Sequence, residues 1–499
     1  MIDRLRELVR GLVPGGSVVQ RTVKSGIWVS ATKMSLRASQ LLMLVILARL
    51  LAPRDFGLMG IALVTLSATR QFTDIGINAA LIQDKKENID EYLNTTWSLE
   101  IGRGILLFVI LFVGAPYIAA LFSEPEAADL IRVLGLIPVL YGLRNPAVVY
   151  FQKDLSFHKE FIYQSSGAVV QFVVGVGYAL YSPTVWALVF ASVSKMATLF
   201  VLSYLLHGYR PWPTFELAVA KKLIHYGKWI TASSIIGFLY SEGDDVFVGW
   251  YLSATALGFY QYAYRLADTP ASEVSGVISK ITFPAYSKLQ GDTDELRGAL
   301  LQTTRLTAFV TFPIAFGIAL VAPSFVPAIL GDDWRPMVLT LQILTLYGLL
   351  HSITRNFGAV WKALGRPDYI AKLGFLRVCL IAILIWPATA RWGIEGTALV
   401  VVGIYLFPML PIDVYLAAQI VEARSAQIYV EYLYPFIAAS IMFVSLWYAA
   451  AAADLPPLVE FVLLIPSGAI IYFAASYLLE RQFDWGIEQN LRTIVDGLR

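Results

Sequence analysis

Long apolar runs separated by short polar connections dominate the chain, and the runs have the length of a membrane crossing. About fourteen stretches of roughly 20 apolar residues, enough to cover about 30 Å of hydrocarbon, fall near 25–51, 57–83, 97–122, 128–151, 161–181, 184–206, 223–251, 254–285, 300–330, 336–361, 369–390, 394–420, 433–452 and 457–479. The pattern predicts an all-α polytopic membrane protein. Polar residues or proline interrupt the second, eighth and ninth runs and blur their ends.

The runs repeat. Residues 24–31 lie over 225–232 with Gly26 on Gly227, Trp28 on Trp229, Ser30 on Thr231 and Ala31 on Ala232, a constant offset of 201 that persists to Leu51 on Leu252 and Gly57 on Gly258. Lys153 after the fourth run parallels Lys362 after the tenth, and Ala187-Leu188-Val189 parallels Ala398-Leu399-Val400. Parallel repeats of this kind place a cavity between two bundles in several transporter folds. The expected plan is a basic or amphipathic leader at 1–24, a six-helix bundle at 25–206, a cytoplasmic linker at 207–222, a second six-helix bundle at 223–421, an appended helix pair at 432–480 and a cytoplasmic tail at 481–499. Residues 1–10 alternate Leu and Val with Arg4, Arg6, Glu7 and Arg10, a pattern that fits either a surface-lying helix or a disordered leader.

Composition narrows the class. Of 499 residues, 57% are hydrophobic and only 15% charged, with mean hydropathy +0.65, against about 25% charge in soluble domains. The net charge of +2 is spread over short loops, which argues against nucleic acid as a partner. One cysteine, Cys379, excludes a disulfide within one chain, and His158, His207, His225 and His351 lack ligand spacing, so no metal centre is expected. Loops on one side hold Lys85, Lys86, Lys153, Lys159, Arg210, Lys221, Lys222, Lys288, Arg297, Lys362, Arg366, Lys372 and Arg424, whereas the alternate loops hold Arg54, Arg335 and Arg391. By the positive-inside rule the first set and both termini are cytoplasmic. There is no nucleotide-binding Gly-x-x-x-x-Gly-Lys-Ser/Thr loop, nor a nucleophile with its base. The outer connections, such as Ser123-Glu124-Pro125-Glu126, leave no room for a catalytic domain.

The seventh run carries the first chemical lead. Glu242, Asp244 and Asp245 interrupt it late, and one charge at a helix centre costs about 3 kcal/mol on insertion scales. They should therefore face a protein interior or a wet cavity.

Several stretches resemble one family. Leu47 to Gly57 reads LARLLAPRDFG, and Phe72 to Gln83 reads FTDIGINAALIQ. Asp245-Val246-Phe247-Val248-Gly249 leads to Leu257-Gly258-Phe259-Tyr260 and Tyr264-Arg265-Leu266, followed by Gly331-Asp332-Asp333-Trp334 and Ala363-Leu364-Gly365-Arg366-Pro367. In this order they are similar to the polysaccharide transporter family of the MOP flippase superfamily, the Wzx-type lipid-linked oligosaccharide flippases, and to its WzxC-like branch. Lipid II flippases and MATE exporters are relatives. The resemblance covers essentially the whole chain. It implies export of a polyprenyl-(di)phosphate-linked glycan from inner to outer leaflet of the cytoplasmic membrane by alternating access, with no cofactor, with H+ or Na+ coupling as an option, with membrane lipids and polysaccharide polymerase or ligase proteins as further partners, and with a monomeric protein. The alternatives are a MATE-like exporter of small molecules and a membrane glycan polymerase or ligase.

A diphosphate crosses hydrocarbon only with compensating charge, and Arg offers phosphate a bidentate fork. Lys33 and Arg37, four apart on one helix face with Ser30 and Gln40 near the same stripe, meet that need in the first run. They line a cavity or pair with a carboxylate of a neighbouring helix. Arg265 is the next candidate, with Asp268 three residues on as its cavity-side neighbour or its local neutraliser. Arg70 with Asp74, Arg144 before Asn145-Pro146, Arg355 before Asn356, and Arg377, which has no evident partner in sequence, are secondary candidates. Arg103 reads as an interfacial partner of Glu100, and Lys280 and Arg305 as cations that snorkel to the interface. Asp245, which matches the family pattern, and Glu242 share a face while Asp244 points elsewhere; these acids serve as counter-charges to the cationic cavity or bind the coupling ion. Arg37→Ala is expected to abolish surface glycan at near-normal protein abundance, and Asp245→Ala to impair transport; a glycan stain beside an immunoblot of the membrane fraction reads both.

Overall fold

The computed structural model describes residues 18–73, 90–453, 455–483 and 485–486, without the side chains of 18–25, 91 and 217–233. The leader at 1–10, Asp74 and most of the 72–83 stretch therefore lie outside the described residues. Every described element is helical, as a chain in lipid requires when each backbone N–H and C=O must find a partner within its own segment. The chain divides into two compact units, residues 1–255 and 256–499.

The first unit contains α1 (Val18–Leu50), α2 (Pro53–Phe72), α3 (Asp90–Leu121), α4 (Ala127–Leu134), α5 (Leu136–Leu143), α6 (Tyr150–Lys153), α7 (Phe157–Tyr181), α8 (Trp186–Leu206) and α9 (Leu217–Tyr251). Pro53 opens α2, where a missing N–H costs nothing. Asp55 caps that end: Oδ2 accepts from the Ala52 N–H at 3.0 Å and Oδ1 from the Val185 N–H at 3.1 Å, tying the starts of α2 and α8. Arg54 bridges Glu124 at 2.9 Å and Glu126 at 3.3 Å across the adjoining connection.

From Phe56 to Ala62 every α2 side chain is buried, the sign of a helix surrounded by protein; α3, α4 and α9 pack on it. By contrast, α3 turns Ile105, Val109, Phe112, Val113 and Tyr117 outward. α1 packs on α7, and α7 on α8. Asn145 is fully buried and structural: its Oδ1 caps the 3₁₀ turn Pro146–Val149 through the Ala147 N–H at 3.0 Å, and its Nδ2 donates to the Tyr209 carbonyl at 2.7 Å.

The second unit contains α10 (Ala254–Lys288, from Ala256 onward), α11 (Thr293–Phe325), α12 (Val338–Ala363), α13 (Asp368–Ile404), α14 (Leu410–Ile420), α15 (Ser425–Ala453) and α16 (Pro457–Phe483). The prolines expected to blur the eighth and ninth runs do not end helices: α10 continues through Pro270 and Pro284, α11 through Pro313. Gly393, with φ +58°, breaks α13 into two helices between the eleventh and twelfth runs. A π-helical turn, Tyr405–Met409, separates α13 from α14.

α15 and α16 pack on α11. Arg305 of α11, expected to snorkel, instead meets Glu431 of α15 in a two-point ion pair at 2.7 and 3.0 Å, with the Trp485 indole N–H donating to the same carboxylate at 3.0 Å. Removing one partner of such a buried pair costs about 3–5 kcal/mol.

Among the described residues, eight helical stretches are long and apolar enough to cross a membrane by length and composition, Asp368–Ile420 at 53 residues being the longest. This is a multi-pass membrane protein.

A Cβ on Gly57 would lie 1.6 Å from the Ala254 carbonyl oxygen, whereas one on Gly177 would meet nothing within 4 Å. Gly57→Ala should therefore cost about 3 kcal/mol or more through overpacking, and Gly177→Ala within about 0.5 kcal/mol of nothing. Melting curves of the two detergent-purified variants, read by size-exclusion fluorescence, check this.

Candidate functional site

A cluster of polar and aromatic side chains lies inside the second unit, where α10, α12 and the break after α13 meet. A Cβ on Gly348 of α12 would lie 2.4 Å from the Ala267 carbonyl of α10, so glycine brings these two backbones together. One residue on, Asp268 faces His351, with Oδ1 and Nδ1 2.8 Å apart. Tyr347 stacks on His351 at 5.4 Å between centroids, meets Tyr264 at 4.8 Å and stands edge-on to Tyr405 at 5.1 Å. Arg377 is 3% exposed; its guanidinium lies 4.0 Å over the Tyr405 ring and donates to the Tyr405 hydroxyl. Cation–π contact and a phenolic oxygen together give an arginine a home in an apolar layer.

These contacts change the expected pairing. Asp268 does not neutralise Arg265 within α10; it belongs to His351, across the helix interface. Arg265 is exposed and makes no ion pair among the described residues. Arg355, one turn beyond His351, is exposed and reaches the Ser272 carbonyl at 3.4 Å. Asn356 beside it is buried and donates to Thr307 Oγ1 at 2.7 Å, a packing role. Arg265, Arg355 and Arg377 thus outnumber Asp268, leaving a charge balance that favours an anion, with Arg265 free to present its donors to phosphate oxygens. Sequence reasoning set His351 aside for want of metal-ligand spacing. The available signal was different: an ionisable side chain within an apolar run, one helical turn from both Tyr347 and Arg355.

In the first unit, α1 sits on α7 through Trp28, which lies 5.2 Å from Phe161, and Ser39, whose hydroxyl donates to the Ala168 carbonyl at 3.3 Å. The face turned away carries Ser30, Lys33, Arg37 and Gln40, all exposed. Arg37 donates to Gln40 Oε1 at 3.2 Å, and Lys33 makes no ion pair among the described residues. On α9, Asp244 is the buried acid at 6% exposure, while Glu242 and Asp245 are half-buried; all three are engaged by other groups.

Three further cations of this unit make contacts within it. Arg103 binds Glu100 at 3.2 Å, as its spacing implied, and also donates to the Arg70 carbonyl at 3.0 Å and to Thr73 Oγ1. Arg70 and Arg144 both lie over the Tyr141 ring, at 5.4 and 3.8 Å.

Next to the polar cluster, the second unit has an apolar groove of about 580 Å³. Leu266 and Pro270 of α10, Phe309, Pro313 and Gly317 of α11, and Gly468, Tyr472 and Phe473 of α16 line it. On the helical wheel of α10, Leu266 and Pro270 share one side, and Tyr264, Arg265 and Asp268 the other. Among the described residues no group of three or more His, Cys, Asp or Glu is placed to hold a metal ion.

Comparison with known proteins places this architecture. A family model described as polysaccharide biosynthesis protein matches residues 46–339. The lipopolysaccharide biosynthesis protein WzxC of Escherichia coli (strain K12) is 28% identical over 370 residues, 73% of this chain and 74% of that one. The succinoglycan biosynthesis transport protein ExoT of Rhizobium meliloti (strain 1021) is 24% identical over 353 residues, 70% of each chain. Among solved structures, the lipid II flippase MurJ in an inward closed conformation superposes with a TM-score of 0.73 at 14% identity, covering 91% of this chain and 99% of that one, a likeness of fold. The family model takes in more than half of the sequence, including the stretches that carried the resemblance up to Trp334 but not 363–367, and the chain belongs to this family of polysaccharide biosynthesis proteins.

Proposed function

We propose that the protein is a secondary transporter, not an enzyme, that flips a polyprenyl-(di)phosphate-linked oligosaccharide from the inner to the outer leaflet by alternating access. One observation carries this reading. A single helix, α10, presents Arg265 on one side and closes an apolar groove of about 580 Å³ with Leu266 and Pro270 on the other. A charged head and a long hydrocarbon tail are the two parts of the proposed substrate, and the helix has a surface suited to each. The relatives' names, for lipopolysaccharide biosynthesis and succinoglycan transport, support the glycan class.

Fourteen crossings with both termini cytoplasmic complete the proposal. The helix order supports the count when α4 with α5 is taken as one crossing and α13 with α14 as two, hinged at Gly393; the loop charges support the orientation. In this reading Lys33 and Arg37 bind the head group, Glu242, Asp244 and Asp245 act as counter-charges or gates, and H+ or Na+ drives the cycle. The protein works as a monomer beside the polymerase or ligase that receives its product.

Proteoliposomes holding a sugar-labelled polyprenyl diphosphate should expose the sugar to a membrane-impermeant oxidant faster than protein-free vesicles; equal rates would refute the assignment. Arg265→Ala should slow this flipping about tenfold or more, the loss of one charge-assisted contact, with an unchanged melting temperature because the side chain is exposed. Gly317→Leu, at a groove position where an added Cβ meets nothing within 4 Å, should slow it about tenfold by filling the tail's place, again at near-normal stability.

A further inference from the structure

Apart from the cationic cluster, the second unit buries one acid that the account so far does not use. Asp413, on α14, is 6% exposed and makes no hydrogen bond or ion pair among the described residues. It lies about 12 Å along the axis from the C-cap Val421, at about 1.5 Å per residue. Its helix neighbours Val414, Ala417 and Ala418 are buried and apolar.

Among the described residues, the group within electrostatic reach of Asp413 is a hydroxyl, not a cation. Tyr432 of α15 is within electrostatic reach of the Asp413 carboxyl and lies next to Thr304 of α11 without meeting hydrogen-bond geometry, so that both hydroxyls are buried and unsatisfied. Asn356 Oδ1 and Ser352 Oγ of α12 are in the same condition. The charged groups of the packed elements are committed elsewhere: Glu431 of α15 and Arg305 of α11 to each other, Arg297 of α11 to Asp294 at 2.9 Å and to the Val421 carbonyl at the far end of α14 at 3.0 Å, His351 to Asp268, Arg355 to α10 at Ser272, while Lys362 is exposed. Tyr405 of the π-turn holds Arg377. An ionised carboxylate with no partner is the costliest occupant of such a place, and its neutral acid, which needs a single acceptor, the cheapest.

We infer that Asp413 is a proton-binding site whose occupancy sets the position of α14. The carboxylate takes up a proton when α14 is packed dry among α11, α12 and α15, and gives it up when the helix moves to admit water. The turn Tyr405–Met409, where Phe407 leaves helical geometry, separates α14 from α13 and lets it move as a piece. The same turn carries Tyr405, the partner of Arg377 and neighbour of Tyr347 and His351, so a displacement of α14 reaches the cationic cluster directly. This rests on the transporter reading above and assigns its coupling ion as H+ and its site as Asp413.

A hydrophobic carbodiimide, whose nitrogen takes the proton of a protonated acid while the carboxyl oxygen adds to its central carbon, tests it on the full-length protein in nanodiscs, with peptide mass spectrometry to place the adduct. Asp413 is expected to be labelled, Na+ is expected not to protect it, and Asp413→Asn, a neutral isostere with unchanged melting, is expected to lose the adduct. In the flipping assay an imposed pH gradient should speed the wild type about tenfold and leave Asp413→Asn unaffected. No adduct at Asp413, protection by Na+, or an Asp413→Asn variant that responds to the gradient like the wild type would overturn the proposal. Labelling needs no substrate, so an adduct at Asp413 alongside absent flipping upholds the proton site and rejects the glycan assignment instead.

Discussion

A charge inside an apolar layer must be satisfied by the protein itself, and that constraint accounts for much of the arrangement of the second unit. Arg305 and Glu431 meet at 2.7 Å, Asp268 and His351 at 2.8 Å, and Arg377 lies within aromatic faces. In water such contacts contribute little; between helices in lipid each one replaces a solvation shell the bilayer does not supply. The helices are consequently positioned by their polar side chains as much as by apolar packing. The pair Arg305–Glu431 brings α15 and the Trp485 segment onto α11, and Asp268–His351 sets α10 against α12, where Gly348 permits the close approach.

What is left over after this pairing is informative. Arg265 and Lys33 make no ion pair among the described residues, and Asp413 has no partner there either. In the proposed cycle a charge that the fold does not neutralise is held for something that comes and goes: a phosphate for the cations, a proton for the acid. The apolar groove on the other side of α10 extends the same logic to a hydrocarbon tail, since Phe309, Pro313 and Tyr472 line a concave surface rather than the outward-facing belt formed by residues such as Trp447 and Tyr448.

The all-helical, multi-pass character was legible in the sequence because hydrophobic run length is a local property. The break at Gly393 falls between the eleventh and twelfth runs, and the stretch at 47–57 that carried the resemblance lies within the matched family region. The pairings were not legible, because each joins helices far apart in the chain: Asp268 and His351 are 83 residues apart, Arg305 and Glu431 126. Spacing along one helix suggested that Asp268 would serve Arg265 and that Arg305 would snorkel, and in both cases a partner on another helix won. Arg377 offered no partner in sequence because Tyr405 lies beyond the Gly393 break. Asp413 went unnoticed as a single acid in an apolar run, a position whose meaning depends on burial that no one-dimensional pattern records.

In the proposed transport cycle α10 separates the seat of a charged head from the seat of a hydrocarbon tail. A polyprenyl diphosphate sugar bearing a photoreactive diazirine midway along its isoprenoid chain tests it most directly, by crosslinking in nanodiscs and mapping the adducts. The account predicts adducts on Pro313, Gly468 and Phe473, lost when Gly317 is replaced by Leu; adducts confined to the outward apolar faces around Trp447 and Tyr448, with the groove unlabelled, would contradict it.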